Sequence, residues 1–239
     1  AGATIAADAS AAAKGADIVF KVRAPEADEI SALPEGVALI ALMDPTNLDA
    51  VPLNGKKIAA LSMEFTPRIT RAQSMDALSS QSNLAGYRAV IEGAQTYGRA
   101  MPMMMTAAGT IAPAKVFVMG AGVAGLQAIA TARRLGAVVT ATDVRPAAKE
   151  QVASLGAKFI AVEDEEFKAA ETAGGYAKQM SPEYQAKQAE LTASHIAKQD
   201  IVITTALIPG RAAPVLVTED MVKTMKPGAV LVDIAIDQG

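Results

Sequence analysis

Cysteine and tryptophan are absent from this 239-residue chain, histidine occurs once, and aromatic residues make up only 4% of it. Without cysteine there is no disulfide framework, no thiolate metal site and no cysteine nucleophile. A lone imidazole, His195, excludes a histidine metal cluster as well. Charge of one sign is also lacking: the formal net charge of −3 gives no general attraction for nucleic acid or anionic lipid. A run without charge extends over the seventeen residues Val116 to Ala132, but three glycines divide it into strand, turn and helix patterns, so it is not read as a membrane span. No signal peptide or low-complexity tract is visible. The chain lacks an initiator methionine and opens inside an alanine-rich helical pattern, which reads as a fragment whose true start is missing. What is present, 51% hydrophobic and 20% charged residues, is the composition of an ordered chain able to bury a full core as one large or two small domains. A cytosolic location fits these features.

The most telling positive feature is a glycine turn between two readable elements. Lys115 to Met119 is an apolar β-branched run, Gly120-Ala-Gly-Val-Ala-Gly125 follows, and Leu126 to Leu135 has a helical pattern. A bare GxGxxG is weak evidence, but strand, turn, helix and a downstream acid together describe a dinucleotide site. Gly120 permits the tight turn, Gly122 removes a side chain that would block a pyrophosphate, and Gly125 lets helix pack on strand. The helix N-terminus then offers backbone N–H groups and a favourable dipole to the phosphates. Arg133 and Arg134 fall in the helix's last turn and Gly136 is the expected left-handed cap. A second strand, Ala137 to Thr142, delivers Asp143 eighteen residues after Gly125, where such sites place the acid that binds the adenosine ribose. A carboxylate there favours NAD over NADP, while Arg145 keeps a phosphate-binding alternative open.

From Lys115 onward strands are expected near 115–119, 138–142, 158–162, 201–205 and 229–234, with helices between. That alternation predicts a doubly wound parallel sheet in the order 3-2-1-4-5, with its ligand where the order reverses. Upstream, Asp17 to Val22, Val37 to Leu42 and Lys57 to Leu61 look like later strands of a similar unit. The fold class is therefore α/β: two Rossmann-like lobes with parallel sheets, the first incomplete. The expected division is residues 1–78 as the partial first lobe, 79–114 as a bridging helix and hairpin, and 115–239 as the nucleotide lobe. The bridging helix, Ser79 to about Arg99, carries Leu84, Tyr87, Val90, Ile91 and Ala94 at i, i+3, i+4 spacing. Met101 to Thr110 follows, its methionines either core filler or a hairpin against a partner chain.

Candidates for chemistry are few. The polar stretch Pro67 to Asp76 supplies Arg68, Gln73 and Asp76, with Ser79 just beyond; these groups suit a nicotinamide carboxamide and its ribose, or else form a solvated loop in which Asp76 or Ser79 caps the next helix. Glu171 to Lys178 contains Gly174, Gly175 and Tyr176 and reads as a closing lid or a plain surface loop. His195 sits in a polar helical pattern, Glu183 to Lys198, and is read as a surface residue. The acidic run Glu163 to Glu166 is read as a solvated edge. Alcohol and amino acid dehydrogenases need a proton donor or acceptor beside the nicotinamide, and no well-placed one is found.

Taken together, Pro67 to Ala89, Gly120 to Gly125, Gly174 to Lys178 and Thr204 to Gly210 closely resemble the NAD(H)-binding component of proton-translocating NAD(P) transhydrogenase, of the alanine dehydrogenase/transhydrogenase superfamily. The resemblance implies direct hydride transfer between NADH held here and NADP+ held by a separate component, coupled to proton movement through a membrane-spanning component. Nicotinamide-to-nicotinamide transfer needs no acid or base. Residue by residue, the resemblance implies that Arg68, Gln73, Asp76 and Ser79 position the dihydronicotinamide and its ribose, with Gln73, Arg68 and Asp76 carrying transfer. It likewise implies Gly120, Gly122, Val123 and Gly125 for the pyrophosphate, Asp143 for the adenosine ribose, and Tyr176 for a mobile lid. It further implies a homodimer with the Met103 to Gly109 hairpin at its interface, no nucleic-acid partner, and a peripheral place on the cytoplasmic or mitochondrial matrix face of a membrane. Relative to that family the chain reads as truncated at both ends, and Ala1 to Leu53 matches less tightly.

Two other readings stand beside this one. Alanine dehydrogenase shares the two-lobe fold but has a catalytic histidine after a strand comparable to Val37 to Leu42, where this chain has Met43-Asp44-Pro45. A non-catalytic NAD(H) sensor has the same binding features and no requirement for an acid or base.

Overall fold

The computed structural model describes residues 2–44, 53, 55–67, 69–170, 180–206 and 213–236. Two compact units divide the chain, Ala1–Ser80 and Gln81–Gly239. In the first, the order is α1 (Ala9–Ala13), β1 (Ile18–Arg23), α2 (Ala27–Ala32), β2 (Ala38–Leu42) and β3 (Ala59–Ser62), followed by short 3-10 turns at Met63–Phe65 and Gln73–Met75. All three strands run parallel in the order β1-β2-β3, with Val19 beside Leu39 and Leu39 beside Ala60. Side chains alternate across a strand, so Leu39 and Ala41 enter a small core with Ala13, Leu33, Val37 and Met43. On the other face Phe20 pairs with Ile40 and Ile40 with Leu61, and Phe20 is 75% exposed. Glu64 ties strand ends together: its carboxylate accepts from the backbone N–H groups of Met43 (3.0 Å) and Asp44 (2.9 Å) and from the Ser62 hydroxyl (2.6 Å).

The second unit continues from α3 (Ala77–Tyr97), whose first turn lies at the boundary, through β4 (Met104–Thr106), β5 (Gly109–Ile111), β6 (Lys115–Met119), α4 (Val123–Arg134), β7 (Val138–Thr142), α5 (Ala148–Ser154), β8 (Lys158–Phe159), α6 (Glu165–Lys168), α7 (Pro182–Ile196), β9 (Ile201–Thr204), α8 (Glu219–Thr224) and β10 (Val230–Asp233). Its sheet has the order β10-β9-β6-β7-β8, all neighbours parallel. This is the expected 3-2-1-4-5 order read from the other edge, and it reverses beside β6. Both faces are covered: Val116, Val118, Ile201 and Ile203 join one cluster with α4, while Phe117, Met119 and Val202 join another with Ile196. Parallel strands buried on both faces require such near-continuous apolar sequence.

Three expectations need correction. β8 is shorter than 158–162, because beyond Phe159 the Val162 N–H turns to the Gln188 side chain at 2.9 Å and leaves the ladder. Of the apolar stripe on α3, Val90 is buried and Ala94 packs against the same core, but Leu84 and Tyr87 are 59% and 47% exposed, and the helix buries Gly86, Ala89 and Gly93 as well. The reason is backbone proximity, since a Cβ on Gly86 would lie 2.0 Å from the carbonyl oxygen of Ala124 in α4. His195 is half-buried, not a surface residue: its ring meets Phe117 edge-on at 4.7 Å and its Nε2 lies 2.8 Å from the Thr140 hydroxyl. The helix pattern around it is polar, but this position faces the sheet.

Candidate functional site

The glycine turn occupies the point where the strand order reverses. Gly120 ends β6 with a φ of +105°, a left-handed conformation that a Cβ disfavours. Its amide still belongs to the sheet, donating to the Thr142 carbonyl at 2.8 Å. Gly125, in the first turn of α4, faces back on the strand: a Cβ there would lie 1.8 Å from the Gly120 carbonyl oxygen. Gly122 differs, for an added Cβ would meet nothing within 4 Å. One glycine therefore serves the turn, one the packing, and one leaves open space in front of a helix N-terminus. That terminus starts at Val123, and its first backbone N–H groups have no partner one turn earlier. The other end closes in a Schellman motif, with Gly136 at φ +88° donating to Arg133 and Ala137 donating to Ala132.

Asp143 follows β7 and turns its carboxylate toward the same turn. Its side chain is 8% exposed, and Oδ2 accepts from the Ala121 N–H at 2.7 Å. Oδ1 accepts from the Arg145 backbone N–H at 2.9 Å and from its Nε at 2.9 Å, while Arg145 Nη2 reaches Oδ2 at 3.0 Å and the Ala121 carbonyl at 3.2 Å. Acid and guanidinium thus hold the two polar groups of one residue between them, the N–H by Asp143 and the C=O by Arg145. Just past the adjacent strand β9, the Thr205 hydroxyl donates to the Gly120 carbonyl at 3.0 Å. Sequence reasoning singles out neither Thr205 nor the Ala121 clamp. A paired threonine at the end of a strand neighbouring the glycine strand is the signal that could find the first.

The structure brings Gly120, Gly122, Val123, Gly125 and Asp143 together. Gln73, Asp76 and Ser79 form a second group at the end of the first unit. Gln73 begins a 3-10 turn and is exposed. Asp76 accepts from the Ser79 backbone N–H at 2.9 Å and from the Ser79 hydroxyl at 2.6 Å, a capping arrangement at the start of α3. Arg68, Tyr176 with the rest of residues 171–179, and residues 207–210 lie outside the described residues.

His195 and the acidic run Glu163 to Glu166 are engaged with neighbouring groups of the second unit. Burial, reinforced by Lys198, Lys158 and Lys115, depresses the His195 pKa below its ordinary value. In the acidic run, Asp164 caps α6 through the Phe167 N–H, Glu163 pairs with Lys149, and Glu166 accepts from the Ser181 hydroxyl at 2.6 Å, so the run is partly built into the fold and is not simply a solvated edge. No group of three metal-ligating side chains occurs among the described residues.

The residues present fit a dinucleotide: an open glycine cradle, a helix N-terminus and an acid stand at the switch point of a doubly wound sheet. Comparison with known proteins agrees. The N-terminal domain model of alanine dehydrogenase/PNT matches residues 1–85, and the C-terminal domain model matches residues 89–239. The chain belongs to the alanine dehydrogenase/PNT family. Within that family it is 60% identical over 246 residues to an NAD(P) transhydrogenase subunit alpha chain of Rhodospirillum rubrum, covering 100% of this chain and 64% of the relative. A crystal structure of transhydrogenase from Sinorhizobium meliloti superposes with a TM-score of 0.85 at 64% identity, covering 96% of this chain and 62% of that one. Alanine dehydrogenase of Halomonas elongata is 30% identical over 242 residues, covering 100% of this chain and 59% of the relative. This alanine dehydrogenase/PNT chain thus spans just under two thirds of the length of these relatives. Its position after β2 is filled by buried Met43, followed by Asp44 at φ +48°.

Proposed function

We propose that this chain is the NAD(H)-binding component of a proton-translocating NAD(P) transhydrogenase. NADH held at the glycine turn supplies the hydride, and NADP+ on a separate component receives it. The observation that carries the reading is the 60% identity to a transhydrogenase alpha subunit over the whole chain, against 30% to an alanine dehydrogenase. The chemistry of the site supports it, because direct transfer between nicotinamides demands orientation and not a proton donor. Gln73, Arg68, Asp76 and Ser79 orient the reacting ring and its ribose; the Asp76 to Ser79 cap fixes the start of α3 and with it the turn that carries Gln73. Gly120, Gly122, Val123 and Gly125 receive the pyrophosphate, Asp143 the adenosine ribose, and Tyr176 covers the site.

The same reading makes the β4–β5 hairpin a contributor to a homodimer interface. Met103, Met104, Met105 and Ile111 are exposed there, an apolar display that suits a second chain. The reading also gives the chain a peripheral place at the cytoplasmic or matrix face, beside a membrane-spanning partner; among the described residues no helix is long and apolar enough to cross a membrane.

The test is reconstitution. The protein mixed with a purified NADP(H)-binding component should support cyclic hydride transfer to an NAD analogue, and Gln73→Asn should slow transfer about 100-fold by displacing the positioning group roughly 1 Å, with NADH binding within a few-fold of wild type. No transfer with NADH still bound would favour a sensor. NADH oxidation by pyruvate and ammonia would favour alanine dehydrogenase, the reading its 30% relative keeps in play.

A further inference from the structure

The N-terminal edge of the second unit's sheet, at the opposite end of the strands from the glycine turn, carries cations that the site above does not use. Lys115, Val138 and Lys158 are the first residues of β6, β7 and β8. In the ladder Lys115 lies beside Val138, and Lys158 beside Thr140. Paired residues, and residues two apart on one strand, share a face. All four therefore stand on the face that carries Phe117, which the end of α7 covers through Ile196 and His195. The cover stops short of the edge, where Val138 remains exposed. His195 Nε2 lies 2.8 Å from the Thr140 hydroxyl, and Lys198 follows directly after the Ala197 cap of α7. Lys115, Lys158 and Lys198 are exposed, and no ion pair among the described residues includes any of them. Asp200 at the same edge is engaged already, by Lys226 at 2.7 Å and by the Lys115 backbone N–H at 2.8 Å.

We propose that this shelf binds a multiply charged phosphate group, with Lys115 and Lys158 on either side of it, Lys198 over it and Val138 beneath. The two flanking lysines are two strands apart, about 10 Å at ordinary strand spacing, comparable with the screening length of roughly 8–10 Å in physiological salt. Their charges therefore act together on anything between them. An ammonium group binds phosphate as a point charge and needs no fixed fork. A group with two or more negative charges meets three lysines where a single carboxylate would leave repulsion unopposed. The field of the cluster is already felt by its neighbour: after burial, Lys198, Lys158 and Lys115 in that order hold the His195 pKa below its ordinary value, and they are the charged groups that face the ring from α7, β8 and β6. The shelf is separate from the dinucleotide site, because the strands run parallel and their first residues lie at the end away from Gly120.

His195 is the only imidazole in the chain, so its ring C–H resonances need no further assignment and report on the shelf by proton NMR. Inorganic pyrophosphate, added to the whole chain in the presence of NADH, should move these resonances along a saturable curve. It should also raise the His195 pKa, since an anion near the ring favours its charged form. A parallel arm with adenosine diphosphate separates two sources of the same group: tighter binding than pyrophosphate identifies a nucleotide, weaker binding a free polyphosphate ion, and either supports the site. Lys115→Gln and Lys158→Gln replace exposed side chains and should each weaken the affinity about 10-fold, in line with one contact to a charged group. Lys187→Gln, elsewhere on α7 and paired with Glu183, should leave it unchanged. No response of the imidazole, a response that sodium chloride of equal ionic strength reproduces, or one that survives intact in both the Lys115 and Lys158 variants overturns the inference.

Discussion

The two units use the same kind of parallel sheet under different cover. In the second, β6 and β9 are buried on both faces, with Val116, Phe117, Val118, Ile201, Val202 and Ile203 all at 1% exposure or less. In the first, Leu39 and Ala41 are buried while Phe20 and Val22, from a strand that also carries Lys21 and Arg23, are 75% and 79% exposed. The first half of β1, Ile18 to Phe20, is continuously apolar like a strand covered on both faces, but the described residues leave Ile18 and Phe20 exposed. The pattern of a strand reports how much cover its fold demands, and only tertiary structure reports how much it receives. The sheet covered on both faces and the glycine turn reside together in the second unit.

The largest expected effect comes from removing a large ring in each. Phe117→Ala takes a side chain with no exposure out of the cluster of Met119, Ile196 and Val202 and away from the His195 ring, and should cost about 3–5 kcal/mol. Phe20→Ala removes a ring of the same size from an open face and should change stability by about 0.5 kcal/mol or less. Urea unfolding of the two variants checks this directly; comparable losses would mean that the Phe20 face is covered in solution.

A smaller contrast uses glycine. Gly125→Ala places a methyl 1.8 Å from the Gly120 carbonyl oxygen, a clash of backbone with side chain that only separation of α4 from β6 relieves. A loss of about 3 kcal/mol is expected, at the upper end for overpacking, together with loss of NADH binding. Gly36→Ala in the first unit meets nothing within 4 Å, but its φ of +80° makes the substitution strained, for about 1–2 kcal/mol. Thermal unfolding followed with and without NADH separates the two, because only the Gly125 variant should lose its response to the nucleotide.

Local and medium-range features are legible in the sequence. The strand order, the Gly136 cap, the turn at Gly120 and the close packing at Gly125 follow from spacing and residue type, and the structure shows each of them, with open space at Gly122. What escapes are contacts between distant segments. Periodicity finds Val90 and Ala94 on the buried side of α3 but extends the stripe to the exposed Leu84 and Tyr87 and misses Gly86, where a neighbouring backbone passes. Thr205 and Gly120 are eighty-five positions apart, and nothing local marks their hydrogen bond. Arg145 enters the sequence reading only as an alternative that would bind a phosphate, and its partnership with Asp143 and Ala121 depends on how the turn folds back. Asp76 can be read as ligand or as cap, and the structure supplies the cap without testing the ligand.

The smallest effect concerns pH and belongs to one unit alone. The chain's only histidine is in the second unit, half-buried against Phe117 and Thr140, with Lys198, Lys158 and Lys115 nearby. Burial first, and these cations after it, lower its pKa below the ordinary 6.5, so below that pH the unfolded chain binds the proton that the folded chain refuses. Stability must then fall with pH over this window. The contribution is whole above about pH 6.5 and is lost as the pH drops through the depressed folded value. His195→Gln removes the titrating group and should flatten this part of the curve, narrowing the difference in melting temperature between pH 7 and pH 5. Because the first unit has no imidazole, amide exchange in β1 to β3 should show no histidine-linked change over the same range, whereas β6 and β7 should; a wild-type slope that persists in the variant would place its origin among the carboxylates instead.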